Sequence, residues 1–326
     1  MKTTFAAALA ALAALATLVP PGASAQSDDW PSRPISLVVT FGPGSGSEMV
    51  ARHYARALKE KLNANAVVEF KPGAAGAIGA QAVARAAPDG YTVLVGSGTV
   101  NAANYPLFRG QLKYGPQDFV TVATTFVTPP VLIAARHLPG DSVPDLLARA
   151  RREGRKLSCG SGNAVTQVAC EWLRRKTGAD LVNVPYKGNG QSLTDLAAGQ
   201  IDLAFSDLGA ANPFLARDGV RAIAVPMAAR LSALPEVRTF AEQGIADFEF
   251  LSWNTFFVPV GTPPAVIRRL NDAAKHMLGT AEWEKQRIAT SGAKVSGDLA
   301  ESDAFVKAEI ARWERYVAET GVKGTQ

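Results

Sequence analysis

Ile35-Ser36-Leu37-Val38-Val39-Thr40-Phe41-Gly42-Pro43-Gly44-Ser45-Gly46-Ser47 is the stretch that decides the fold. Its first half is a short β-branched, apolar run that reads as a buried strand. Its second half is a loop of glycines and serines. Val50, Tyr54, Ala57, Leu58 and Leu62 then recur on one face of a helix, with Ser47 as its expected N-cap. The same order repeats downstream. Residues 66–70 read as a strand, Pro72-Gly73 turns into an Ala-rich helix holding Ile78 and Val83, and Pro88-Asp89-Gly90 turns again. Thr92-Val93-Leu94-Val95 is a third strand, ending in Gly96-Ser97-Gly98-Thr99. This spacing implies parallel βαβ units and an α/β fold class.

The pattern resumes in the middle of the chain. Strands are expected at residues 131–134, 156–158, 181–184, 201–205, 223–225 and 256–258. Helices are expected over residues 141–152, from the loop Gly160-Ser161-Gly162 to about residue 176, and over residues 193–198, 265–278 and 300–320. No solenoid-length repeat is present.

Whole-chain properties narrow the function. The 326 residues suit about two domains. Lys2, the apolar run from Phe5 to Val19, and Ala23-Ser24-Ala25 form a signal-peptide pattern, expected to span residues 1–25 with cleavage after Ala25. The mature chain is therefore expected in the periplasm. Net charge is +5. Basic clusters such as Arg149, Arg151, Arg152, Arg155 and Lys156 lack interleaved aromatics, which argues against nucleic acid. They read as a solvated helix face or a docking surface. Cys159 and Cys170 admit two readings, a bridge permitted by an oxidising compartment or two buried thiols.

Catalytic equipment is sparse. His53, His137 and His276 are the only imidazoles, and no pair has metal-ligand spacing. No Gly-x-Ser-x-Gly elbow occurs, and the first loop lacks the lysine of a phosphate loop. No metal and no cofactor is expected. The chain instead repeats small-residue loops at strand ends that precede helices. Ligands of open parallel sheets bind outside those strand ends. Helix N-termini there offer unpaired N–H groups and a dipole that favours an anion.

Several blocks resemble the Bug family, the extracytoplasmic receptors of tripartite tricarboxylate transporters. Trp30-Pro31-Ser32-Arg33-Pro34-Ile35 is similar to the family's opening. The run from Pro72 to Gly79 followed by Ala87-Pro88-Asp89-Gly90-Tyr91-Thr92 is similar to its most recognisable stretch. Val184-Pro185-Tyr186-Lys187-Gly188, Leu193-Thr194-Asp195-Leu196 and Gly199-Gln200-Ile201-Asp202 form a second block. The resemblance covers essentially the whole mature chain. It implies a type II periplasmic-binding-protein fold: two lobes, each a mainly parallel sheet flanked by helices, joined by two crossing strands. Lobe 1 would hold residues 26–126 and 255–326, and lobe 2 residues 127–254.

It also implies a monomeric, non-enzymatic receptor that captures a small carboxylate and hands it to membrane transporter subunits. A receptor reporting to a sensor protein is the alternative, with a hydrolase or isomerase on the same scaffold behind it. Candidate ligand-binding residues on the first lobe are Ser45, Gly46, Ser47, Glu48, Ala75 and Gly76, then Ser97, Thr99 and Asn101. On the second they are Ser161, Tyr186, Gly188, Ser206 and Asp207. Glu48 has a rival role pairing with Arg52, and Tyr186 one as a packed aromatic. Trp253 reads as a hinge or core residue. Three positions depart from the family pattern. Ser45 and Glu48 stand where Gly and Asp are usual, Gln167-Val168 stands for His-Leu, and Ser206 stands for a common Asp.

Overall fold

The computed structural model describes residues 30–217 and 219–322, so the expected signal peptide lies outside the described residues. The first part of the chain forms β1 (Ile35–Val39), α1 (Gly46–Leu62), β2 (Ala66–Phe70), α2 (Ala77–Ala84), β3 (Thr92–Ser97), α3 (Asn104–Leu107) and β4 (Phe119–Thr128). The middle forms β5 (Pro130–Ala135), α4 (Val143–Arg152), β6 (Leu157–Ser161), α5 (Ala164–Thr177), β7 (Leu181–Pro185), α6 (Asn189–Ala197), β8 (Leu203–Asp207), α7 (Leu208–Leu215) and β9 (Val220–Ala224). The chain then returns through β10 (Ser252–Pro259) to α8 (Pro264–Leu278), α9 (Ala281–Ala289) and α10 (Leu299–Thr320).

Two five-stranded sheets result, in the orders β2-β1-β3-β10-β4 and β7-β6-β8-β5-β9. Each with its helices makes one lobe. In the first sheet β10 runs antiparallel to β3 and β4. In the second, β5 runs antiparallel to β8 and β9. One reversed strand per sheet follows from the connectivity. The parallel strands of both sheets end at the cleft. A chain that leaves the first sheet at the end of β4 and enters the second one residue later, after Pro129, must run away from the cleft as β5. β10 enters the first sheet under the same constraint.

The core of the first lobe lies between its sheet and α1 and α8. Tyr54 stacks on Phe256 with ring centroids 3.9 Å apart, and its hydroxyl donates to the Leu270 carbonyl at 2.8 Å. Burial of each such side chain is worth about 1.5–3 kcal/mol. A second core runs through both lobes along α10. Trp313 and Tyr316 of that helix pack on Phe250, and Tyr316 also on Trp172 of α5. The C-terminal helix thus braces the crossing.

The two cysteines form a bridge between β6 and α5. Both are fully buried, and the bridge decides between the two readings.

Several local expectations shift. Ser45, not Ser47, caps α1, its Oγ accepting from Glu48 N. Gly160 and Ser161 belong to β6 rather than to a loop, and the loop that follows is Gly162-Asn163. β3 likewise runs through Gly96 and Ser97. α6 starts at Asn189, four residues before the expected start, and β8 lies two residues later than read.

Candidate functional site

A cavity of about 350 Å³ lies between the lobes. Four helices of eight or more residues have their N-caps in its lining: Ser45 of α1, Asn163 of α5, Gly188 of α6 and Asp207 of α7. Each helix follows a strand that ends at the cleft, so the βα connections aim their N-termini at one place. The dipoles and unpaired first-turn N–H groups make that place favourable to an anion.

Three of the caps are filled by the chain itself. Ser45 Oγ accepts from Glu48 N at 3.3 Å, Asn163 Oδ1 from Thr166 N at 3.0 Å, and Asp207 Oδ1 from Ala210 N at 2.9 Å. At Gly188 no side chain caps the helix. Lys187 stands immediately before it, lines the cavity, and has no ion-pair partner among the described residues. Gly162 brings two loops of this lobe together. A Cβ there would stand 2.2 Å from Asn189 N, so a side chain would force the α5 and α6 N-termini apart.

The first lobe contributes hydroxyls. Ser45, Ser47, Ser97 and Thr99 all line the cavity. Ser47 Oγ accepts from Asn254 Nδ2 at 2.8 Å, and the same amide donates to Gly96 O at 3.0 Å. Asn254 therefore fixes the start of α1 against the end of β3. The opposite lobe approaches closely here, since a Cβ on Gly46 would stand 3.8 Å from Asp207 Oδ1. Apolar walls come from Phe41, Phe126, Val165 and Trp253. Trp253 is buried, and its indole N–H donates to Glu309 Oε2 of α10 at 3.0 Å. It is thus both a crossing-strand core residue and a cavity wall.

Of the candidate residues, Ser45, Gly46, Ser47, Ser97, Thr99, Gly188 and Asp207 line this cavity. The other seven do not. Glu48 turns back, its Oε2 accepting from Gly44 N at 2.6 Å and its Oε1 from Arg52. The Gly44 bond, with the Arg52 guanidinium, holds its carboxyl below the usual range. Ala75 and Gly76 lie in a left-handed run, Gly73 to Gly76, in which all four φ angles are positive. The Ala75 carbonyl accepts from Asn104 Nδ2, and Gly76 packs between Thr40 and Val100. Asn101 Oδ1 accepts from Ser97 N at 3.3 Å and so shapes the third loop from beneath. Tyr186 donates to Asp195 Oδ2 at 2.8 Å; burial, with that carboxylate, pushes its phenol up to about 12. Ser161 and Ser206 are buried in their strands and do not reach the cavity lining.

Lys187, Asn163 and Asn189 join the site without having been candidates. The signal for them is present in the sequence: each sits at, or one residue from, the N-cap position of a helix that follows a strand. Among the described residues no group of His, Cys, Asp and Glu is placed to hold a metal ion. No helix among them is long and apolar enough to cross a membrane.

Two α/β lobes closing on a cavity ringed by helix N-termini define a solute-binding protein of the periplasmic type. The solved structures agree. The R. palustris protein Rpa4515 with adipate is 33% identical, with a TM-score of 0.85 over 90% of this chain and 99% of that one. MatC of Rhodopseudomonas palustris with bound malate is 28% identical, with a TM-score of 0.82 over 88% and 100%. BugT of Bordetella pertussis is 30% identical over 304 residues, 92% of this chain and 93% of that one. The family model for the tripartite tricarboxylate transporter family receptor matches residues 50–322, and the chain belongs to that family. It is a Bug-type receptor that binds solute, not an enzyme.

Proposed function

We propose that this receptor captures a small carboxylate in the inter-lobe cavity and delivers it to the membrane subunits of a tripartite tricarboxylate-type transporter. Residues 1–25 act as the export signal, and the mature chain works as a periplasmic monomer. The lobe division expected from the sequence, residues 26–126 with 255–326 against 127–254, belongs to this reading. One observation carries it: four helix N-caps and an unpaired Lys187 meet at a single cavity. Similar proteins with adipate and with malate support the same ligand class. Ligand bridges the hydroxyl-lined loops of one lobe and the Lys187 side of the other. It stabilises the closed arrangement by contacts that the open one lacks.

A thermal-shift screen tests this. A ligand at 100 times its Kd adds about 2.7 kcal/mol to the native state, which for a protein of this size raises the melting temperature by several degrees. Organic acids should give that shift and neutral sugars none. A shift with sugars alone rejects the carboxylate assignment.

A further inference from the structure

The cavity's own charges and walls narrow the ligand further, on the assumption that the carboxylate reading holds. Of the side chains lining it, one is cationic, Lys187, and one is anionic, Asp207. Lys187 is exposed and unpaired, so its charge is available to a ligand. Asp207 is held in place. Its Oδ1 caps α7 at Ala210 N, and its Oδ2 accepts from Asn189 Nδ2 at 3.1 Å. It cannot swing away without uncapping a helix. Glu48, the carboxylate in the first turn of α1, is already drawn off to Gly44 and Arg52. A ligand with one carboxylate finds one cation and four helix N-termini in the lining. A second carboxylate finds no second cation in the lining, and a fixed anion with it.

The rest of the surface says what the body of the ligand is. Phe41, Phe126, Val165 and Trp253 form apolar walls, and the hydroxyls come from Ser45, Ser47, Ser97 and Thr99 at the first and third loops and from Thr128 and Ser252 on the crossing strands. Trp253 is not free to turn a polar edge inward. Its only N–H is spent on Glu309 Oε2 at 3.0 Å, so it presents ring surface. A ligand body whose hydroxyls or second charge lie against these four side chains loses water there without recovering its hydrogen bonds, which is costly. An alkyl or aryl body gains by the same burial.

We infer that the preferred ligand is a monocarboxylate with an apolar alkyl or aryl body, paired with Lys187, and that Asp207 disfavours a second carboxylate. This separates the chain's preference from the adipate seen with its R. palustris neighbour.

Isothermal titration of the purified protein with a matched six-carbon series tests it: hexanoate, adipate, 6-aminohexanoate and hexanamide. These differ only at their two ends. Hexanoate should bind at least tenfold more tightly than adipate, and 6-aminohexanoate, whose ammonium Asp207 attracts but the apolar walls desolvate, should fall between them. Hexanamide should be weaker than hexanoate by tenfold or more. Benzoate against terephthalate should repeat the order. In Asp207→Asn, an amide oxygen still caps Ala210 N while the charge is gone, and the hexanoate-to-adipate ratio should fall by about tenfold. Adipate or 6-aminohexanoate binding as well as hexanoate would overturn the monocarboxylate assignment and leave carboxylate capture standing. An unchanged ratio in Asp207→Asn would remove Asp207 as the discriminating residue. Hexanamide binding as tightly as hexanoate would instead strike the carboxylate reading itself.

Discussion

The two lobes face the same cavity with different chemistry. The first offers Ser45, Ser47, Ser97 and Thr99 with backbone N–H groups, and the one charged side chain of its first loop, Glu48, is folded back onto Gly44 and Arg52. The second offers a free ammonium, a fixed carboxylate and the amides of Asn163 and Asn189. It alone carries a disulfide, placed between the strand and the helix that flank the Gly162-Asn163 loop. The first lobe therefore recognises by shape and hydrogen-bond count, while the second supplies net charge on a stapled frame. Charge is the less forgiving part. A displaced hydroxyl costs one hydrogen bond, whereas a displaced cation leaves the ligand's anion partly unpaired.

The disulfide gives the widest test of that contrast. Closing a loop of this length is worth about 3 kcal/mol in the chain-entropy account. Cys159→Ala with Cys170→Ala should lower the free energy of unfolding by about that amount in urea titration. Amide exchange should show the loss around β6 and α5 and not at β1 to β3. Equal loss of protection in both lobes would show that they unfold as one unit, and the staple would then not belong to lobe 2 alone.

Affinity should divide in the same way. Lys187→Gln removes a charged hydrogen-bond donor, for which about 1.5–3 kcal/mol of binding is expected, or roughly 10- to 100-fold in Kd. Thr99→Val removes a neutral one, about 0.5–1.5 kcal/mol. Both are measured by titration with the best-bound acid. The Lys187 variant should also lose much of the salt dependence of binding, because screening acts on charges. A larger loss at Thr99 than at Lys187 would reverse the division of labour between the lobes.

Much of this frame is legible in the sequence, and the failures have physical reasons. β1, β2 and β7 are readable because β-branched runs end in Gly or Pro. Residues 119–128 give no strand signal, although they form the longest strand among the described residues. Thr121, Thr124, Thr125 and Thr128 are all buried there, and a threonine's hydroxyl disguises its β-branched shape. α7 is hidden by Gly209 at its start and Pro213 inside it. α9, Ala-Glu-Trp-Glu-Lys-Gln-Arg-Ile-Ala, buries only Trp283, in the core of the first lobe, and so shows almost no apolar stripe. At the site, the strand tips are legible as places but not to the residue. β6 and β8 each run further than expected, and those extra strand residues make Ser161 and Ser206 buried parts of the sheet and not exposed loop tips. Lys187 stands inside a recognisable motif and next to a helix N-cap, yet the loop chemistry explains anion binding without it, so that signal is easily passed over.

The finest test sets two carboxylates near the cavity against each other, since their environments act with opposite sign. Glu48 is held below the usual carboxylate range by Gly44 N–H and Arg52. Its charged form is favoured by the fold, so its contribution is present above the ordinary value near 4.3 and is lost as pH falls through the lowered one. Glu309 is buried on α10 behind Trp253, and burial raises its carboxyl, with Arg312 and the Trp253 indole pulling the other way. Its folded state holds the proton more tightly than the unfolded state does. Stability therefore falls as pH rises from the ordinary value through the raised one. Urea titrations between pH 3 and pH 8 should show this in the variants. Glu309→Gln keeps an acceptor for Trp253 and should lack the decline above about pH 4.3. Glu48→Gln should lack the loss below it. The differences from wild type should then slope in opposite pH windows, each by less than the effects above. Parallel curves for Glu309→Gln would mean that water reaches the carboxyl behind Trp253, and the indole would then be a movable wall of the cavity, not a fixed one.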